Sequence, residues 1–143
     1  MKTCTFFGHR DCPESVLVDL RQALRELIER QDVGAFLVGE QGMFDRLACR
    51  ALEEMKGEFP HIRVEIVAAY FPRRKEEGER VLPEGMESVP ARYAIDRRNR
   101  WMIARADHVV CYVKRGWGGA AKYMEVARRR GKAVWNLCES GKE

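Results

Sequence analysis

No apolar run in this sequence approaches the length of a membrane span. The longest, Ala35–Gly39 and His108–Val113, fall far short of the ~18 residues a helix needs to cross a bilayer. The N-terminus lacks the basic, apolar and small-residue succession of a secretory signal and leads straight into a strand pattern at Thr3. Together these absences predict a cytoplasmic protein with no membrane contact. Cysteine occurs five times, at Cys4, Cys12, Cys49, Cys111 and Cys138, but never as C-x-x-C, so neither a disulfide framework nor a zinc ribbon is expected. The three histidines, His9, His61 and His108, form no H-x-x-x-H pair and have no acidic cluster beside them. No metal and no cofactor is therefore predicted. Nor does the chain offer a Ser-His-Asp or Cys-His arrangement for nucleophilic catalysis.

What is present suits one globular domain over 1–143, since a chain of this length hides roughly 68–70% of its unfolded surface. Charged residues make up 34% and hydrophobic residues 45%, and repeats, low-complexity tracts and linkers are missing. The net charge is +4, and all of it falls in Pro90–Arg105, where Arg92, Arg97, Arg98, Arg100 and Arg105 face only Asp96. One local basic patch fits a small anionic ligand better than the broad basic coat of a duplex-DNA binder.

Short apolar runs alternate with amphipathic stretches. Thr3–Phe7, Ala35–Val38, Ile62–Ala68, Asp107–Val113 and Ala133–Leu137 read as strands. Glu14–Arg30, Met43–Lys56, Pro90–Arg105 and Ala120–Arg130 read as helices, the first with Val16, Leu20, Leu24, Leu27 and Ile28 on one face. The stretch 70–89 is charged and rich in Pro and Gly, with no period, and is expected to be an irregular functional loop with room for one more strand. The last residues are expected to fray. Such alternation predicts an α/β fold, a doubly wound sheet of about five mostly parallel strands with helices on both faces.

Folds of this kind bind ligands beyond the carboxyl ends of their strands, which directs attention to the segments after each one. Gly8, His9 and Arg10 follow the first strand, offering a glycine for close backbone approach and two polar or charged donors. Gly39, Gln41 and Gly42 follow the second and open a helix that carries Asp45 in its first turn. Tyr70 follows the third, where an aromatic ring suits stacking on a base as well as capping the core. After the fourth comes Lys114 to Gly119, again opening a helix, where Gly118 and Gly119 are the best anion cradle in the chain. Arg98 on the preceding helix is the candidate charge clamp. Arg97, Arg98 and Arg100 cannot share one face at 3.6 residues per turn.

Several of these stretches, taken in order, resemble the SLOG superfamily. They are Phe6-Phe7-Gly8-His9-Arg10, Val38 to Asp45, Val89 to Ile95, Arg98-Asn99-Arg100-Trp101-Met102 and Trp117-Gly118-Gly119-Ala120-Ala121. The superfamily joins the DNA-processing SMF/DprA proteins and the Lonely Guy phosphoribohydrolases, and the likeness is greatest to a branch of small bacterial proteins. The resemblance spans nearly the whole chain. It implies a Rossmann-like fold, a nucleotide-derived ligand and a homodimer. Lonely Guy enzymes carry P-G-G-x-G-T-x-x-E and an upstream arginine, which act on a nucleoside monophosphate. On that pattern Gly118, Gly119, Glu125 and Arg98 are retained. Trp117, Ala121, Lys122 and Asn99 depart from it, replacing the proline, the third glycine, the threonine and a lysine.

The leading expectation is therefore a domain that binds or senses a nucleotide-like small molecule through Gly8, His9, Arg10, Gly39, Gln41, Gly42, Asp45, Tyr70, Arg98, Asn99, Gly118 and Gly119. The alternative implied by the resemblance is a nucleotide N-glycosidase with Arg98 and Glu125 as its catalytic pair. Single-strand DNA binding ranks third, because the charge is modest and local.

Overall fold

The computed structural model describes residues 1–70 and 80–140. Five strands, β1 (Lys2–Gly8), β2 (Val33–Val38), β3 (Arg63–Ile66), β4 (His108–Tyr112) and β5 (Ala133–Asn136), form one sheet in the order β3-β2-β1-β4-β5. Every pairing is parallel. Helices α1 (Val16–Arg30), α2 (Met43–Glu58), α3 (Ala91–Arg105) and α4 (Gly119–Arg129) connect them, and a short α5 (Leu137–Ser140) follows β5 directly. This is the doubly wound α/β arrangement, with the sheet entirely parallel.

Alternation along β1 divides the core. Cys4 and Phe6 point toward α1 and α2, where Leu20, Leu24, Leu47 and Leu52 are fully buried. Phe7 points the other way, into a second layer with Met102 and Ile103 of α3 and Tyr123 and Ala127 of α4. Each layer rests on the sheet's apolar side chains; β2 and β4 read as nearly continuous apolar runs, whereas the edge strand β3 carries Arg63 and Glu65.

Element ends move by one or two residues from the sequence reading. Helix α1 begins at Val16 because Pro13, Glu14 and Ser15 form a turn, with the Val16 N–H donating to the Pro13 carbonyl at 3.1 Å. At the other end of the sheet, the Asn136 side chain replaces the ladder beyond β4. Its Oδ1 accepts from the Val113 N–H and its Nδ2 donates to the Val113 carbonyl, each at 3.0 Å. The chain therefore turns into α5 at Leu137, which the sequence reading places in the strand; of the last residues, where fraying is expected, 141–143 lie outside the described residues. The extra strand is a single parallel bridge between Val67 and Val81; residues 71–79 of the irregular segment lie outside the described residues. Among the described residues, no helix is long and apolar enough to cross a membrane.

The order places a switch point between β1 and β4. The chain leaves β1 toward one face of the sheet through α1, and reaches β4 from the other face through α3. Between two such diverging connections a crevice opens at the carboxyl ends.

Gly8, the last residue of β1, is demanded by packing. A Cβ on it would lie 2.2 Å from the ring of Phe44, which is fully buried at the start of α2. Gly8→Ala should cost about 1–3 kcal/mol, the range for overpacking, and Phe44→Leu should recover part of that loss in the double variant. Urea denaturation of the four proteins of this cycle measures the coupling; simple additivity would show that the two residues do not compete for one space.

Candidate functional site

The crevice at the switch point has a volume of about 290 Å³. Its floor is Phe6, Phe7 and Met102, and its polar walls come from the loops after β1, β2 and β4 together with α3. Of the residues singled out from the sequence, Gly8, His9, Arg10, Gly39, Gln41, Asp45, Arg98, Asn99, Gly118 and Gly119 all line it.

Arg98 is the central group. Helical period turns it inward, to 1% exposure, while Arg97 and Arg100 point to solvent. Its Nε donates to Asn99 Oδ1 at 2.7 Å and its Nη1 to the Val67 carbonyl at 3.0 Å. Among the described residues Arg98 forms no ion pair. Removing a cation from water carries an effective penalty of several kcal/mol; its two bonds to neutral acceptors, at about 1.5–3 kcal/mol each, return a comparable amount but supply no counter-charge. Burial lowers the arginine's proton affinity, against the opposing pull of Asp45 and Glu40.

Gly39 makes room for this guanidinium. A Cβ there would sit 3.2 Å from Arg98 Cζ and Nη1, and 3.1 Å from Asp45 Oδ2. Asp45 itself, in the first turn of α2, accepts the Gln41 N–H at 2.7 Å. Burial nevertheless pushes its carboxyl up to about 6, with the Gln41 bond and Arg98 pulling the other way. Gln41 Oε1 also accepts from Arg10 Nη2 at 2.8 Å, which ties the loops after β1 and β2 together.

His9 plays a different part from the charged donor expected of it. Its Nε2 accepts from the Lys114 N–H at 2.9 Å and the Arg115 N–H at 3.3 Å. A nitrogen that accepts is unprotonated, so this arrangement holds the ring neutral with its proton on Nδ1. Burial, with a contribution from Arg115, lowers its pKa from the ordinary 6.5. His9 thereby anchors the loop between β4 and α4. Arg115 in that loop grips Asp11 through Nη1 and Nη2 at 3.2 and 3.1 Å, and lies over the Trp117 ring at 4.9 Å. Its buried Nε has no partner among the described residues.

The loop ends at Gly118, whose φ of 93° is in the region that favours glycine. No side chain caps α4 here, and a Cβ on Gly118 or Gly119 would meet nothing within 4 Å. The first N–H groups of α4 therefore have no side-chain cap, and the positive end of the helix dipole lies at the crevice that Gly118, Gly119 and Ala120 line.

Three singled-out residues fall elsewhere. Gly42 caps α2 at φ 88° and is pressed against the Arg10 backbone, with 2.8 Å between its ideal Cβ position and Arg10 Cα. Tyr70 is 48% exposed and donates its hydroxyl to the Ala91 carbonyl. Glu125 is not brought to the crevice or to Arg98. The period that buries Tyr123, Met124 and Ala127 turns Glu125 outward, where it pairs with Arg129 at 3.1 Å. Sequence reasoning missed Tyr123, which lines the crevice in its place and donates to Asp96 Oδ1 at 2.7 Å. The helical spacing of Tyr123, Met124 and Ala127 along α4 is the signal that places it on the buried face. Trp117 is given no role of its own by the sequence, yet at 69% exposure it is the most exposed large apolar side chain described.

No family model matches the chain, and no curated protein matches it. Among solved structures it is similar to the X-ray structure of DNA processing protein A (DprA) from Streptococcus pneumoniae, with a TM-score of 0.65 at 14% identity. The match covers 94% of this chain and 49% of that one, so the chain spans about half the length of the protein it matches. The likeness establishes a shared fold, and the Rossmann-like architecture expected from the sequence is the one found.

The His9 anchor makes stability depend on pH. Because the folded pKa lies below 6.5, the unfolded chain takes up the proton first, so this contribution is complete above 6.5 and is lost as the pH falls toward the folded value. Asp45 has the opposite sign, since a raised carboxyl favours the fold at low pH and loses that contribution as the pH rises through about 6. His9→Gln, which can still accept a hydrogen bond but does not titrate, isolates the first effect. Its unfolding free energy should fall less than that of the wild type between about pH 7 and about pH 5; parallel profiles would contradict the assigned role.

Proposed function

We propose that the domain binds a nucleotide-derived small molecule at the carboxyl ends of β1 and β4, with its phosphate toward Arg98 and the N-terminus of α4. The observation that carries this reading is the buried Arg98 guanidinium in the crevice wall, bonded to neutral acceptors alone among the described residues. A bound oxyanion supplies the charge that such a cation lacks. Gly118 and Gly119 add backbone donors, and the unpartnered Arg115 Nε adds another. Tyr123, Phe7 and the exposed Trp117 offer aromatic surface for a base. In this reading the protein works in the cytoplasm, and the homodimer implied by the resemblance belongs to it.

Single-strand DNA, ranked last on charge alone, becomes the second reading. The domain shares its fold with a protein named for DNA processing. Exposed Tyr93 and Trp117, each with an arginine over its ring, are the kind of surface on which successive bases stack at about 1–3 kcal/mol each. The N-glycosidase reading loses support, because its carboxylate, Glu125, faces solvent.

Thermal-shift measurements against nucleoside monophosphates, ADP-ribose, NAD and cyclic nucleotides, with mass spectrometry of each well, test the proposal. A ligand at ~100 times its dissociation constant adds roughly 2.7 kcal/mol, which reads as several degrees. Arg98→Met keeps the side-chain volume and should fold, yet lose the shift. A wild type stabilised only by oligothymidine, with an effect that collapses as salt rises, favours the second reading. Released base in any well revives the hydrolase.

A further inference from the structure

At Gly39 two buried, oppositely charged side chains approach one another. Its ideal Cβ position lies 3.1 Å from Asp45 Oδ2 and 3.2 Å from Arg98 Nη1, so the two groups sit within roughly 6 Å of each other, close enough for each to govern the other's charge. They nonetheless form no ion pair. Both line the crevice, and both are at least nine-tenths buried. We propose that Asp45 and Arg98 are the two halves of one oxyanion subsite, which takes up its ligand together with a proton on the Asp45 carboxyl. The inference rests on the reading of the crevice as the site of a phosphate-bearing ligand, and adds how that charge is accommodated.

An oxyanion that reaches Arg98 must come close to Asp45. With Asp45 ionised, two negative charges share a buried site, which is unfavourable by the same physics that keeps paired acids from ionising together. The incoming anion also neutralises Arg98, the cation that holds the Asp45 proton affinity down. Both effects draw a proton from solvent onto Asp45. Once protonated, the carboxyl supplies an O–H donor to the ligand while Oδ2 still accepts from Gln41. A carboxyl already raised to about 6 has little further to go at neutral pH.

The other charged and titratable groups around Asp45 fit this account. Glu40, in the loop after β2, raises the Asp45 proton affinity further and is itself paired with Arg80. The Cys49 thiol, one turn along α2, is raised to about 11 and stays neutral. Arg46 and Arg50 line a separate hollow on the far side of Asp45. Across the crevice, His9 is neutral and holds its loop by accepting hydrogen bonds.

Calorimetric titration with sulfate and with cyclic AMP tests the proposal, since neither probe changes charge between about pH 5 and about pH 8, whereas a phosphate monoester titrates near 6. At about pH 7.5, in two buffers of unlike ionisation enthalpy, the wild type should take up close to one proton per ligand. Its affinity should fall about tenfold per pH unit above about 7. Asp45→Asn, which keeps the shape and offers an amide donor, should take up none, bind with a flat profile above about 7, and match or exceed the wild type at about pH 8. Binding that depends on Arg98 but brings no proton would overturn this inference and leave the proposed function standing. So would a folded Asp45→Asn that no longer binds, because the carboxylate itself would then be the contact. If neither probe and no nucleotide binds the wild type at any pH, both fall together.

Discussion

A guanidinium sealed into the carboxyl edge of a parallel sheet is the constraint around which the rest of this site is arranged. Arg98 leaves α3 toward the interior, and three features make its position tolerable. The Val67 carbonyl, just beyond β3, and the Asn99 amide take its N–H groups. Gly39, just beyond β2, removes the side chain that would collide with it. Asp45 supplies a negative potential from α2 without closing into an ion pair. A hydrophobic residue in this place would satisfy the fold at lower cost. The retained cation is therefore best understood through what enters the crevice beside it.

The glycines divide into two kinds, and the division separates scaffold from cradle. At Gly8, Gly39 and Gly42 an added methyl would strike Phe44, Arg98 or the Arg10 backbone, so these positions let protein groups approach one another. At Gly118 and Gly119 an added methyl would touch nothing, and Gly118 is required only by its positive φ. Protein closes around the first three, while the open space belongs to the last two. His9 links the sets. It sits after β1, beside Gly8, and fixes the backbone of the loop that presents Gly118.

Much of this was legible in the sequence. Alternating apolar runs and amphipathic segments locate all five strands and the four large helices, since each element buries one face and the period records it. The same period separates Arg98 from Arg97 and Arg100. What escaped depends on contacts between distant parts of the chain. Gly8 reads as a ligand-approach glycine until Phe44, 36 residues on, is seen to fill its place. His9 reads as a donor until two N–H groups from beyond residue 113 converge on it. Glu125 was carried over from a motif, and helical geometry turns it to solvent. Asn136 ends one strand and opens a helix through side-chain bonds that no local pattern predicts.

Backbone amide shifts on titration with AMP test the central claim most directly. The account predicts that the largest changes fall on Gly118 to Ala121, on His9 and on Gly39 to Gln41, with the Arg98 Nε–H signal moving in step. Changes confined to the sheet's opposite edge, around His108 and Trp135, would contradict it, as would an Arg98 signal that stays still while AMP binds.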